Sequence, residues 1–272
     1  MTPKLKNVKN LSIILLIILS GLTGCKKSED NDNNKQTIVL VHGAWSDVSA
    51  WDEVKPLLEA KGLNVITVNL PGHGNDTTPF PSITLQSYVD VVKKAIGTQK
   101  NVTLVGHSMA GIVISQVAED LPGSVKKLIY LAAYLPQNGQ SLLDIAMTDA
   151  GSHVGKHLKI DEKTASVAID KDGAVNIFVA DAPKSVQEKF AKGVKPDPLV
   201  PFVTPVKLSA VQFGATEKVY IYTKNDHAVS YPAQQAMVKS TPVKTEYTLE
   251  SSHTPFFSMP QKLAEIFIKE AQ

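Results

Sequence analysis

The stretch Asn101 to Ala110, NVTLVGHSMA, constrains this chain more than any other, and Ser108 stands at its centre. Val102 to Val105 is a short apolar, β-branched run. Gly106 lies on one side of the serine and Ala110 and Gly111 on the other, before GIVISQVAED takes up helical spacing. That reads as strand, sharp turn and helix. A serine on such a turn sits in a strained backbone conformation with Oγ lifted above the sheet, and larger neighbours would collide with strand and helix. In Gly-His-Ser-Met-Ala-Gly the second small position of G-x-S-x-G is Ala110, where only smallness is required.

The flanking chain has the rhythm such a turn needs. Folded structure is expected from Thr37, where TIVLV reads as a strand buried on both faces, running into His42-Gly43-Ala44-Trp45. A helix is expected over about Ala50 to Ala60, with Trp51, Val54, Leu57 and Leu58 on one face and Lys61-Gly62 as its stop. Asn64 to Leu70 gives a second strand. A helix capped by Ser82 or Thr84 follows, striped by Tyr88, Val91, Val92 and Ile96. Lys126 to Ala133 is another buried strand. After a break, KVYIYT from Lys218, a helix over Tyr231 to Lys239, a strand over Lys244 to Leu249 and a helix over Pro260 to Ala271 resume the pattern. Strands alternating with helices in this way predict an α/β fold with a mostly parallel sheet and helices on both faces.

Between Tyr134 and about Leu208 the rhythm is lost. Short helical pieces over Ser141 to Met147 and Ser185 to Lys192 flank two alternating runs, Ser166 to Ile169 and Ala174 to Val179. Asp170-Lys171-Asp172-Gly173 between the runs reads as a hairpin turn. An insertion at about 135–208, between the strand after the elbow and the next sheet strand, is expected to form a cap over the active site.

A serine nucleophile needs a base to take its proton and an acid to orient that base. Asp226 lies just beyond the KVYIYT strand, and His253 follows TEYTLE in Ser251-Ser252-His253-Thr254. The order Ser, Asp, His is the one this strand arrangement uses. Asn225 and His227 are neighbouring competitors, but adjacent side chains point apart, so His227 is poorly placed to serve Ser108 while Asp226 orients it. His107 is expected to pack beneath the turn and His42 to fix the loop after the first strand. His73, His153 and His157 lack metal-ligand spacing and read as surface or loop residues, so no metal site is expected. The backbone N–H groups of Met109, at the start of the elbow helix, and of Ala44 are the expected donors to a developing oxyanion. Gly43 lets the backbone bend towards the pocket.

At 272 residues the chain suits one large α/β domain, here 37–272. Its formal charge is only +2, and three of its lysines fall before residue 10, so it carries no nucleic-acid footprint. Those lysines open a secretory pattern. LSIILLIILSGL is apolar but short for a membrane span, and Leu22-Thr23-Gly24-Cys25 follows at once. This end resembles a bacterial lipobox, which implies cleavage of residues 1–24 and lipidation of Cys25. KKSEDNDNNKQ then completes a flexible tether over 25–36. The expected location is therefore outside the cytoplasm, as an exported lipoprotein anchored in a membrane on the periplasmic or cell-surface side. With a single cysteine there is no internal disulfide.

VLVHGAW, VNLPGHG, GHSMAGIVISQVAE, LAAYLP with GQSLLD, and SSHTPFFSMPQKLAEI together resemble the α/β-hydrolase superfamily. They are most similar to its branch of plant methyl-salicylate esterases, hydroxynitrile lyases and bacterial esterase relatives. The resemblance runs from about Thr37 to the C-terminus, including Asp181-Ala182-Pro183 and Pro196 to Val206. It implies Ser108, Asp226 and His253 as a triad, Ala44 and Met109 as oxyanion donors, and no cofactor. Hydroxynitrile lyases of the branch carry a lysine directly after the triad histidine and a threonine on the oxyanion loop, where this chain has Thr254 and Ala44. Both differences favour a serine hydrolase of small carboxylic esters over a lyase, and the intact triad favours it over a non-catalytic ligand-binding or sensor protein. Trp45, Met109, Tyr134, Val229 and Phe256 are the candidate walls of an apolar substrate pocket.

Overall fold

The computed structural model describes residues 35–272. The expected signal segment, Cys25 and all but the last two residues of the expected tether lie outside the described residues. The strands are β1 (Thr37–Val41), β2 (Asn64–Val68), β3 (Val102–His107), β4 (Val125–Leu131), β5 (Leu158–Asp161), β6 (Ser166–Ile169), β7 (Asp197–Pro198), β8 (Glu217–Thr223) and β9 (Thr245–Leu249). Six form one sheet in the order β2-β1-β3-β4-β8-β9. Every pairing in it is parallel.

The apolar runs explain why the sheet is covered on both faces. Successive side chains of a strand point to opposite sides, so Val39, Val41, Leu104 and Tyr130 pack on one face while Ile38, Leu40, Val105 and Ile129 pack on the other. Helices Leu85–Ile96 and Ala110–Asp120 bury their stripes against the first face. Helix Pro260–Ala271 and Trp51, Val54 and Leu58 close the second. Each such side chain taken fully out of water contributes about 1.5–3 kcal/mol before its entropy cost. Thr84 starts Leu85–Ile96 with a reciprocal cap: its Oγ1 accepts the Ser87 N–H at 3.1 Å, and its own N–H donates to Ser87 Oγ at 3.2 Å.

Two expected elements take other forms. The helix expected over Ala50 to Ala60 is a 3-10 turn, Val48–Trp51, followed by a short helix, Lys55–Glu59. Pro56 lacks an N–H and is accommodated only in a first turn, so the helix begins at Lys55, directly before it. The expected hairpin at Asp170 is instead the start of helix Lys171–Phe178, with the Asp170 side chain accepting the Gly173 N–H at 2.8 Å. A turn and a helix start use the same aspartate-to-backbone bond. Here Ala174, Ile177 and Phe178 are buried at helical spacing, and that decides for the helix. The partners of β6 are β5 and β7, both antiparallel.

The chain between β4 and β8 thus holds several short helices and a three-stranded sheet. Its apolar residues Val167, Ile169, Ile177 and Phe178 belong to the same cluster as the first face of the main sheet.

Candidate active site

In a parallel sheet all strands end on the same edge, and the loops there can converge. Ser108 follows β3, Asp226 follows β8, His253 follows β9, and Gly43 and Ala44 follow β1. Ser108 has φ +54°, a conformation that costs a non-glycine residue free energy and is retained where the surroundings enforce it. Its N–H donates to Leu131 O at 3.2 Å, and its carbonyl accepts the N–H groups of Gly111 and Tyr134, each at 3.1 Å. A Cβ on Gly106 would come within 2.8 Å of Ala110 O, which is why smallness is required on both sides of the turn.

Asp226 and His253 meet as a buried pair, with Asp226 Oδ2 2.8 Å from His253 Nδ1. Every other contact of that carboxylate is with a donor. Oδ1 accepts the N–H groups of Ala228 and Val229 at 2.7 and 3.0 Å, and Oδ2 accepts Thr223 Oγ1 at 2.7 Å and Gln234 Nε2 at 3.2 Å. Gln234 is fully buried and also bridges Thr223 and Val229, accepting the Thr223 N–H and donating to the Val229 carbonyl. The other ring nitrogen of His253, Nε2, is buried and has no hydrogen-bond partner among the described residues. Among the described residues, Ser108 Oγ also makes no hydrogen bond.

The inserted segment grips the histidine loop on both sides of His253. Asp181 accepts the Ser252 N–H at 2.8 Å and the Ser252 hydroxyl, while Thr254 Oγ1 donates to Phe178 O at 2.6 Å. His107 lies beneath, its Nε2 donating to His253 O at 2.9 Å. Burial and the neighbouring His253 ring hold the His107 pKa well below its ordinary value, so it is neutral. His227 has other partners: Asn176 O, and His153, on which it stacks at 4.6 Å.

The loop after β1 is pinned through several residues. His42 Nδ1 donates to Gly43 O at 2.9 Å and its Nε2 accepts the Leu70 N–H at 3.1 Å. Burial and the nearby His73 push its pKa down to about 3. His73, expected at the surface or in a loop, lies in the turn after β2 but is buried, packed on His42 and Tyr88 with its Nε2 3.1 Å from Asp197 Oδ1 in a pair shielded from water. Burial opposes protonation of His73, but the Asp197 carboxylate together with the Pro71 and Leu70 carbonyls raises its pKa on balance. The second Asp197 oxygen accepts the Trp45 N–H at 2.9 Å, and the Trp45 indole donates to Val167 O at 3.2 Å. Trp45 is thereby fixed at φ +52°, directly after Ala44. The backbone N–H groups of Ala44 and Met109 make no hydrogen bond among the described residues. Gly43 closes the arrangement, since a Cβ there would lie 2.8 Å from both Ser108 Cβ and His107 Nδ1.

Ser108 opens on a cavity of about 250 Å³. Trp45, Met109, Tyr134 and Val229 line it as expected, but Phe256 does not. Phe256 packs in the core on the other face of the sheet, 5.1 Å from Trp51 and 4.9 Å from His107. The rest of the wall includes Leu142, Leu158, Phe178 and Phe202 of the insert. Phe178 also touches the His253 ring at 5.6 Å, and so joins the cavity to the histidine. Spacing along the chain does not give the contacts of Asp181 and Asp197, whose partners Ser252 and Trp45 are far away in sequence, nor the role of Gln234, which depends on the turn after β8 folding back on the helix that follows it. No group of three or more His, Cys, Asp or Glu among the described residues is arranged to hold a metal ion.

Residues 38–266 match the profile of the Alpha/beta hydrolase family. Two chloroplastic proteins of Arabidopsis thaliana, provisionally named methylesterases 11 and 15, are 28% and 31% identical over 260 and 249 residues. The matches cover 90% and 86% of this chain but only 66% and 56% of those proteins, so the chain spans less than two thirds of their length. Among solved structures, a pyrethroid hydrolase from Sphingobium faniae JZ-2 superposes with a TM-score of 0.76 at 26% identity, over 87% of this chain and 97% of that one.

Proposed function

The chain belongs to the alpha/beta hydrolase family, and from that premise we propose that it is a carboxylic ester hydrolase acting through an acyl-enzyme on Ser108. The observation that carries the reading is the buried Asp226–His253 pair at 2.8 Å, which leaves His253 Nε2 unpaired in the loop neighbourhood of a strained serine. In this reading Ser108 Oγ attacks the ester carbonyl, His253 takes its proton and later returns it to the leaving alcohol, and water deacylates the enzyme by the same route. Asp226 holds the imidazole in the tautomer with a free Nε2 lone pair. The N–H groups of Met109 and Ala44 receive the oxyanion, each such donor lowering the barrier by about 2.7–4 kcal/mol. The methylesterase and pyrethroid hydrolase names of the relatives support an ester as substrate.

The hydroxynitrile lyases of the branch this chain resembles carry a lysine directly after the triad histidine; this chain has Thr254 there, its hydroxyl committed to Phe178 O, which favours the hydrolase. The apolar leader and Leu22-Thr23-Gly24-Cys25 support export and a lipid anchor on Cys25, which would hold the hydrolase at a membrane surface. The test is hydrolysis of a p-nitrophenyl ester series by the protein and by Ser108→Ala. Turnover by the parent and a loss of about 10⁴-fold or more in the variant is expected. Equal rates, or inertness in both with binding of small apolar ligands, would replace the enzyme reading with a binding protein.

A further inference from the structure

The wall of the cavity above Ser108 is hydrocarbon and aromatic ring over most of its extent, and among the described residues no lysine or histidine contributes to it. Tyr134 is one of its few polar residues. The residue is 8% exposed, and this is the cavity it lines. Its phenol makes no hydrogen bond among the described residues. The neighbouring phenols are paired: Tyr130 with Ser115 Oγ and Tyr220 with Ala133 O, both at 2.7 Å. Tyr88, which is also unpaired, is sealed inside the core. The Tyr134 hydroxyl is not sealed in this way, and its residue forms part of the cavity wall.

The other polar side chains of the wall are committed. Asp149 accepts the Ser230 hydroxyl and N–H at 2.6 and 2.8 Å and the Gly151 N–H at 3.0 Å. Ser152 Oγ donates to Ala228 O at 2.7 Å. Ser108 is the nucleophile of the reading above. Tyr134 is also fixed in place, because its backbone N–H donates to the Ser108 carbonyl. Burial and the carboxylates of Asp149 and Asp226 push its ionisation upward, so it stays a neutral O–H donor. The hydroxyl of a largely buried tyrosine ordinarily finds a hydrogen-bond partner, and among the described residues none is within reach of this one. A ligand oxygen at this position would supply the missing bond. A ligand carboxylate would be desolvated with no cation to meet it and with Asp149 nearby, so the oxygen should be uncharged.

Taking the ester-hydrolase reading as given, we propose that the Tyr134 hydroxyl is a specificity-determining group. It donates a hydrogen bond to an ether, keto or hydroxyl oxygen on the part of the ester lodged in the cavity, and so selects neutral oxygenated esters over hydrocarbon ones. The test uses pairs of esters that exchange one CH₂ for oxygen. p-Nitrophenyl methoxyacetate against p-nitrophenyl butyrate probes the acyl side, and 2-methoxyethyl acetate against butyl acetate probes the alcohol side. The quantity read is the ratio of kcat/KM within each pair for the parent and for Tyr134→Phe, so that intrinsic reactivity cancels. The ratio should fall by about fivefold to tenfold in one pair, the loss of one hydrogen bond. The same four esters are titrated calorimetrically into Ser108→Ala with and without Tyr134→Phe, where the dissociation constants should show the same selective weakening. If the parent hydrolyses none of the esters, the esterase reading falls, and the calorimetric ratio still decides on Tyr134. Ratios unmoved within twofold on both sides, or no binding of any ester, overturn the proposal.

Discussion

Gly43→Ala isolates the contribution of the loop after β1, because the added methyl meets two atoms of the elbow at once. Its Cβ would stand 2.8 Å from Ser108 Cβ and 2.8 Å from His107 Nδ1, with His107 O at 3.1 Å. Carbon atoms rest at about 3.5–4.0 Å, so loop and elbow must part by at least about 0.7 Å. Neither side yields easily. His107 is buried and hydrogen-bonded to His253 O, and His42 and Trp45 hold the loop on either side of Gly43 and Ala44. An oxyanion donor works over about 2.7–3.1 Å, a window narrower than the forced separation. The Ala44 N–H should therefore be lost to the reaction. The expected fall in kcat is about 10²- to 10³-fold, the effect of one missing donor, with KM changed much less. Overpacking should also cost about 1–3 kcal/mol of stability. Steady-state kinetics on a p-nitrophenyl ester, with urea unfolding of both proteins, separates the two effects. A kcat within threefold of the parent in a folded Gly43→Ala protein would refute the placement of Ala44 as a donor.

Gln234→Leu should destabilise the protein by about 3 kcal/mol in urea unfolding, because it leaves the Thr223 N–H and the Val229 carbonyl buried without partners at about 1–3 kcal/mol each. A loss below 1 kcal/mol would mean that Asp226 and its loop do not depend on it. Stability should also fall on acidification between pH 6.5 and 5. His42 and His107 have lowered folded-state pKa values, so the unfolded chain takes up protons there that the folded chain refuses. For His42, pushed down to about 3, the penalty at pH 5 is about 2 kcal/mol. His73 runs the other way: its raised pKa contributes stability fully below about 6.5 that is lost as pH rises through the folded value. Two rings against one leave a net loss in acid, and unfolding free energies at pH 7.5 and pH 5 that are equal would contradict it.

What could be read without the structure was what local physics dictates. An apolar run such as TIVLV has no stable place outside a covered sheet, and β1 is that strand. A serine between Gly106, Ala110 and Gly111 needs a tight strand-to-helix turn, and Ser108 has φ +54°. The loops that carry Asp226 and His253 were legible as the ends of strands whose parallel arrangement brings those ends to one edge. Where one local device serves two structures, reading stops short. Asp170 supports a turn or a helix start equally well, and only burial of Ile177 and Phe178 chooses the helix.

The amino-acid sequence by itself determined the parallel sheet, the elbow and the candidate nucleophile, base and acid, because each follows from spacing within a few residues. The tertiary structure alone decided which side chains face one another. Phe178 and Phe256 are the same residue type, yet one walls the cavity and the other fills the core on the opposite face. His73 is buried among His42, Tyr88 and Asp197, the last of them far along the chain. Among the described residues no partner comes within hydrogen-bond reach of the Tyr134 hydroxyl, although its residue lines the cavity. Pairings of this kind depend on partners that the folded sheet brings together, and no periodicity in the chain records them.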